Sequence, residues 1–401
     1  VGAMYPWQSA SIGDEQAQFT HLNPLTTTWD PDNSRLQRHV SLDIAYNIWF
    51  YYHVTQDHEF LSQYGMEMLL SIAAFWLDKA TFNQKTGRYS ISGVMGPDEF
   101  HENYPNSTSP GLKNNAYTNV MVAWLFTTIT KLRSAISGQA YEQAANTAHF
   151  NADDTEKLAQ ISRQLTLVIN HNGIIAQFEG YFDLPTLDFQ AYRQKYDDIA
   201  RMDRLLKAEG KTPDAYQVAK QADALMAFYN FDVSTVQTLI QNMDYQLPAK
   251  YLTHNIEYYL ARTTHGSTLS RIVYAVLNQL DGNYDKAWNY FSKALISDYD
   301  DIQGGTTAEG IHLGVMCATL TLTTRNFGGV DPLADQLQVD SHLPDHWQNL
   351  KFKQVFRGIQ YIFIIDHHHV TVTANQACSL QIKGQTYQLQ ENKPLTVAYS
   401  D

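Results

Sequence analysis

The sequence predicts a mainly α protein, a helical toroid or bundle, followed by a small all-β domain. Three observations carry that expectation. From about residue 42 to 322, apolar residues recur at helical spacing in paired segments with short polar connections. No fixed-period repeat is present, which argues against a solenoid. After Asn326-Phe327-Gly328-Gly329 the pattern changes to β-branched runs and two-residue alternation.

The first forty or so residues are loop-rich, with Trp7 and Trp29 beside turn formers. From Leu42 onward Ile44, Ile48, Tyr51 and Tyr52 follow helix spacing, and a second segment over about 60–82 is apolar on more than one face. Such helices are buried between other helices. Further helices are expected at about 116–132 and 155–170, the latter capped from Asn151-Ala152-Asp153-Asp154. A charged, turn-rich stretch over about 180–215 precedes a helix near 215–229 and a short one after Asp232. Helices at about 267–280, 284–296 and 306–322 complete the series. Strands are expected at about 350–355, 358–365 and 369–373, with two shorter runs after Ala377 and Thr386. The boundary falls between a helical domain, 1–329, and a β-domain, 330–401.

Composition narrows the function. A chain of 401 residues with 44% hydrophobic and 17% charged content can bury a large core. The net charge of −13 argues against nucleic acid as a partner, so a bound anion would need a local cluster of donors. Two cysteines exclude a disulfide framework and favour a reducing compartment. No apolar run is long enough to span a bilayer, and the expectation is a cytoplasmic protein without membrane contact. The start, Val1-Gly2-Ala3-Met4, resembles neither a signal peptide nor an initiation site, which suggests a piece of a longer polypeptide. The triple His367-His368-His369 alternates faces along a strand, so no metal site is expected there.

Chemistry concentrates in four segments. Gly96-Pro97-Asp98-Glu99-Phe100-His101-Glu102 crowds three carboxylates and an imidazole around a turn, ahead of Lys113-Asn114-Asn115-Ala116-Tyr117. Carboxylates this close raise one another's pKa, and one held protonated can act as a general acid. On this reading two of the carboxylates Asp98, Glu99 and Glu102 keep the third protonated; a solvated capping loop is the plainer alternative. Lys220 with Gln221 puts an ammonium and an amide at the mouth of a helix, where a lysine taken alone reads as an ordinary surface residue. Arg262-Thr263-Thr264-His265-Gly266-Ser267-Thr268 and Gly304-Gly305-Thr306-Thr307 each lead into a helix whose free amides favour an anion. An ordinary Ser/Thr cap would look the same.

Gly96 to Glu102, followed by Asn114-Asn115-Ala116-Tyr117-Thr118-Asn119, resembles the catalytic-acid segment of glycoside hydrolase family 65. That family holds inverting phosphorylases of maltose, trehalose, kojibiose and related α-glucosides, with a few hydrolases. Lys220-Gln221-Ala222-Asp223, the segment from Arg262 to Ser270, and the segment from Gly304 to His312 match it in the same order. The resemblance implies an (α/α)6 toroid, of which this chain supplies the later part, incomplete at its N-terminus, and then the C-terminal β-domain. An N-terminal remainder of the same enzyme and a second copy in a homodimer are the implied partners. Glu99 is implied as the general acid, Lys220 and Gln221 as the grip on the glucosyl unit, and Asp98 and Glu102 as orienting or sugar-binding groups. Phosphate is implied at Ser267, Thr268 and His312, with His265, Arg262 and Gly305 as further ligands. The reaction would be inverting phosphorolysis of an α-linked glucose disaccharide, with inorganic phosphate as co-substrate and no other cofactor. A hydrolase of the same fold is the alternative, with Glu257 or Glu309 as the available base.

Overall fold

The computed structural model describes residues 2–300 and 310–399. It is mostly helical, with β-sheets at the C-terminal end.

Helix Ala116–Leu132 lies at the centre of the helical part. Of its 17 residues 14 are buried, so it is apolar all round and needs neighbours on every side. Helices Val40–Thr55, Met66–Lys79, Ala152–Gln164 and Val233–Asn242 supply them. Trp76, Tyr117, Phe126, Tyr181, Tyr259 and Tyr274 are among its largest fully buried side chains. Each apolar side chain of this size contributes roughly 1.5–3 kcal/mol by leaving water. Many tyrosines are therefore packing groups. The cap of the central helix is Asn115, whose side chain accepts from the Thr118 N–H at 2.9 Å.

Several elements differ from expectation. The second helix is preceded by a π-helical turn, Leu61–Gly65, and ends at Lys79, with Phe82 on strand Ala80–Asn83. Asn151 and Asp154 form a capping box that starts the next predicted helix early, at Ala152, and it stops at Gln164. Leu165 turns extended there, and the residues beyond run toward the protein centre, with Ile169 bridging Ile175. Helices Gly138–Thr147 and Tyr251–Leu260 were not expected. The predicted helix at 215–229 is broken into the 3-10 turns Pro213–Ala215 and Asp223–Leu225 and the helix Ala227–Asn230. Residues 219–221 stay out of helix: Ala219 pairs with Thr263, and the chain bends at Lys220 and Gln221, whose N–H groups serve a carboxylate.

Strands Leu395–Ala398, His369–Ala374, Ile359–Asp366 and Asn349–Phe356 form an antiparallel sheet in that order. Tyr361, Phe363 and Ile365 point into its core, as alternation requires. A second sheet orders Gln385–Leu389, Cys378–Ile382, Gln338–Val339 and Val330–Asp331, with one parallel pair between Cys378–Ile382 and Gln338–Val339. The Arg357 N–H donates to Val54 O, which ties the first sheet to the end of helix Val40–Thr55. No helix among the described residues is long and apolar enough to cross a membrane.

Candidate active site

Glu99 is buried at the junction of the sequence motifs. Its Oε1 accepts from the backbone N–H of Lys220 at 2.5 Å and of Gln221 at 2.9 Å. Gln177 Nε2 lies 3.2 Å from Oε2, and His101 Nδ1 lies 4.0 Å away. Burial pushes the carboxyl up to about 8, and the two backbone donors, with Gln177 and the Lys220 charge, act in the opposite direction. Glu99 is therefore protonated at neutral pH and poised to ionise just above it.

The cause differs from the sequence expectation. Asp98 is paired with Lys220, whose Nζ sits 2.6 Å from Oδ1. Glu102 turns to Asn33, accepting from its N–H and its Nδ2, while its own N–H donates to Asp214. Neither carboxylate is what holds Glu99 protonated. Removal from water does so. A second carboxyl near Glu99 is Asp223, 1% exposed, which accepts from Asn115 Nδ2 at 3.1 Å and 3.4 Å. Burial, and then the Glu99 charge, push it well above the carboxylate range.

The chain reaches this arrangement through close backbone approaches. A Cβ on Gly96 would overlap Asp223 Oδ2, so only glycine lets the acid segment pass. Gly266 is equally enclosed, by the Ala200 carbonyl and the Phe100 ring, and its N–H donates to Lys220 O at 3.0 Å. Thr264 N–H donates to Ala219 O and Ala219 N–H to Arg262 O. Three of the four motifs thus meet on residues 219–221: the N–H groups of Lys220 and Gln221 serve Glu99, and the carbonyls of Ala219 and Lys220 accept from Thr264 and Gly266.

Beyond that seam, Ser267 caps helix Thr268–Leu280, its Oγ accepting from Leu269 N–H at 3.3 Å. Ser267 and Thr268 are both buried. His265 takes a left-handed backbone, φ 57°, and its Nδ1 lies 2.8 Å from Ser270 Oγ. Burial, aided by Arg271, Lys293 and Arg193, holds its imidazole down to about 4, so it is neutral. Arg262 stacks over Tyr258 at 3.6 Å and donates from Nε to Gln217 Oε1 at 3.1 Å and from Nη1 to Tyr258 O at 2.9 Å. His312 caps helix Leu313–Thr321, which packs on Thr268–Leu280; Asp298 binds its N–H at 2.7 Å and its Nδ1 at 2.6 Å. Gly304, Gly305, Thr306, Thr307 and Glu309 lie outside the described residues. Glu257 is exposed on helix Tyr251–Leu260.

Sequence reasoning missed Asp223, Gln177 and a cluster around helix Val40–Thr55. In that cluster Tyr117 OH donates to Asp43 Oδ1 at 3.3 Å, and His39 Nε2 lies 3.8 Å from Asp43 Oδ2. The available signals were polar residues inside apolar runs: Asp43 after Leu42, and Gln177 between Ala176 and Phe178. The three consecutive histidines do not converge: His367 Nε2 meets Trp347 O and His369 faces Asp366. No group of three or more His, Cys, Asp or Glu among the described residues could hold a metal ion.

Residues 1–321 match the Glycosyl hydrolase family 65 central catalytic domain, and residues 331–389 the Glycosyl hydrolase family 65, C-terminal domain. A trehalose 6-phosphate phosphorylase of Lactococcus lactis subsp. lactis (strain IL1403) is 45% identical over 97% of this chain and 49% of its own length. A kojibiose phosphorylase of Halothermothrix orenii is 29% identical over 98% of this chain and 49% of its own. Among solved structures, a candidate kojibiose phosphorylase from human microbiome superposes with a TM-score of 0.74 at 25% identity, over 91% of this chain and 50% of that one. The chain spans about half the length of these curated relatives.

Proposed function

The chain belongs to glycosyl hydrolase family 65, and on that premise we propose that it is part of an inverting α-glucoside phosphorylase. The observation that carries the proposal is Glu99, a buried carboxyl held neutral by burial and clamped through Oε1 by two backbone N–H groups. Such a group can deliver a proton to a leaving glycosidic oxygen and be stabilised as an anion afterwards. Inorganic phosphate attacks the anomeric carbon from the opposite face and releases β-glucose 1-phosphate and a sugar.

In this account Lys220, with Asp98 and Gln221, fixes the glucosyl unit, and Glu102 is a supporting group. Phosphate binds at the start of helix Thr268–Leu280 through Ser267 and Thr268, with His312; His265, Arg262 and Gly305 act as outer members. The helical part, 1–329, belongs to an (α/α)6 toroid and 330–401 is a separate β-domain. Trehalose 6-phosphate is the substrate proposed first, supported by the 45% identity to the Lactococcus lactis relative, with kojibiose, trehalose and maltose as the other candidates of the class. The working protein is cytoplasmic and a homodimer, and needs no cofactor beyond phosphate. Of the two bases a hydrolase could use, Glu257 is exposed on its helix and Glu309 lies outside the described residues. Proton NMR of the product during turnover tests the proposal: β-glucose 1-phosphate is expected, whereas the α-anomer as first product would overturn inversion.

A further inference from the structure

Oε1 of Glu99 receives two N–H donors, from Lys220 and Gln221, which occupy both of its lone pairs. The acid's proton therefore belongs on Oε2. Among the described residues Gln177 is the side chain within hydrogen-bond distance of that oxygen, with Nε2 at 3.2 Å. Gln177 is 0% exposed, and its Oε1 accepts no hydrogen bond among the described residues. An unsatisfied buried acceptor costs about 1–3 kcal/mol, so this amide calls for a donor. Its terminal torsion is soft and its two ends have the same shape. With a half turn, Oε1 faces the Glu99 O–H.

We infer that Gln177 is a positioning residue for the proton that Glu99 delivers. Before transfer its carbonyl accepts the O–H on Oε2 and fixes where the proton points. In transfer the proton moves from Oε2 to the glycosidic oxygen, which also takes the electron pair of the breaking C1–O bond. A phosphate oxygen forms the new bond to C1 from the opposite face, the proton that phosphate carried passes to solvent, and Oε2 takes a proton back from solvent once the leaving sugar has gone. While Glu99 is ionised, the Gln177 NH₂ donates to Oε2 and the two backbone N–H groups hold Oε1. One amide thus serves both protonation states. Asn115 holds the backbone at this residue, donating from Nδ2 to the main-chain carbonyl of Gln177 at 3.1 Å.

The inference rests on Glu99 as the acid, so the test separates the two. α-Glucosyl fluoride leaves as fluoride and needs little protonation. In the intact protein, Gln177→Met should lower kcat on the best disaccharide roughly 10–100-fold while changing phosphorolysis of α-glucosyl fluoride less than about threefold. Equal losses on both substrates would overturn the inference. Gln177→Glu, nearly isosteric, should move the alkaline limb of the disaccharide rate to higher pH, because a second carboxyl opposes ionisation of Glu99. If Gln177→Met fails to fold, that limb decides, and an unmoved limb overturns the inference. Glu99→Gln losing both substrates equally would instead remove Glu99 as the acid.

Discussion

Glu99 Oε1 lies 2.5 Å from the backbone nitrogen of Lys220, although 121 positions separate the two residues. Backbone donors of this kind stabilise a carboxylate, yet burial outweighs them and leaves the group protonated at neutral pH. The balance sets the acid near its working range, where proton transfer is most effective.

Replacing Glu99 by Gln removes the proton and keeps the shape. Turnover of an α-glucose disaccharide should fall by about 10²–10⁴-fold, with an unchanged circular dichroism spectrum. Retained turnover would contradict the acid assignment.

The same group makes stability depend on pH. In the unfolded chain the carboxyl ionises near 4.5; in the folded protein it holds its proton to about 8. Between those values only the unfolded state has released the proton, so this contribution to stability is whole below about 4.5 and is lost as pH rises through 8, by at most about 1.4 kcal/mol per pH unit. Glu99→Gln should therefore gain in melting temperature over the parent between pH 5 and pH 8. A constant difference would show that the carboxyl is not buried as described.

Gly96→Ala tests the close approach to Asp223. The added Cβ overlaps Oδ2 of a fully buried side chain, and overpacking of this sort costs about 1–3 kcal/mol. Denaturant unfolding measures it, and Gly87→Ala, at a turn with open space around it, is the comparison for backbone strain.

Ser267 has two jobs in this account. Ser267→Ala should cost about 1 kcal/mol through the lost cap. Combined with Thr268→Val, it should also raise the apparent KM for phosphate and leave the KM for disaccharide nearly constant. An unaltered phosphate dependence would move the anion site elsewhere.

Much of this was legible in the sequence. Helical period and caps located helices such as Ala116–Leu132 and Val233–Asn242, and the change of period near Gly329 located the C-terminal strands, though not the earlier ones such as Thr20–Asn23 and Arg88–Val94. The motifs named Glu99, Lys220 and Gln221, and the structure brings their segments together. What stayed hidden depends on long-range contacts. Lys220 and Gln221 read as the start of a helix because Ala222 to Phe228 is apolar; their N–H groups are spent on a carboxylate 121 and 122 residues away, so the chain bends there instead. Asp98 and Glu102 are near Glu99 in sequence, but partners at Lys220 and Asn33 draw them off. Gln177 sits in an otherwise apolar run, and nothing local announces that its side chain reaches the acid.

The most direct test of the central claim is sugar release from trehalose 6-phosphate, trehalose, maltose and kojibiose by the intact protein, with and without inorganic phosphate. The account predicts glucose 1-phosphate from one of them, formed only when phosphate is present. Free glucose released at equal rates in both buffers would contradict it and make water the nucleophile.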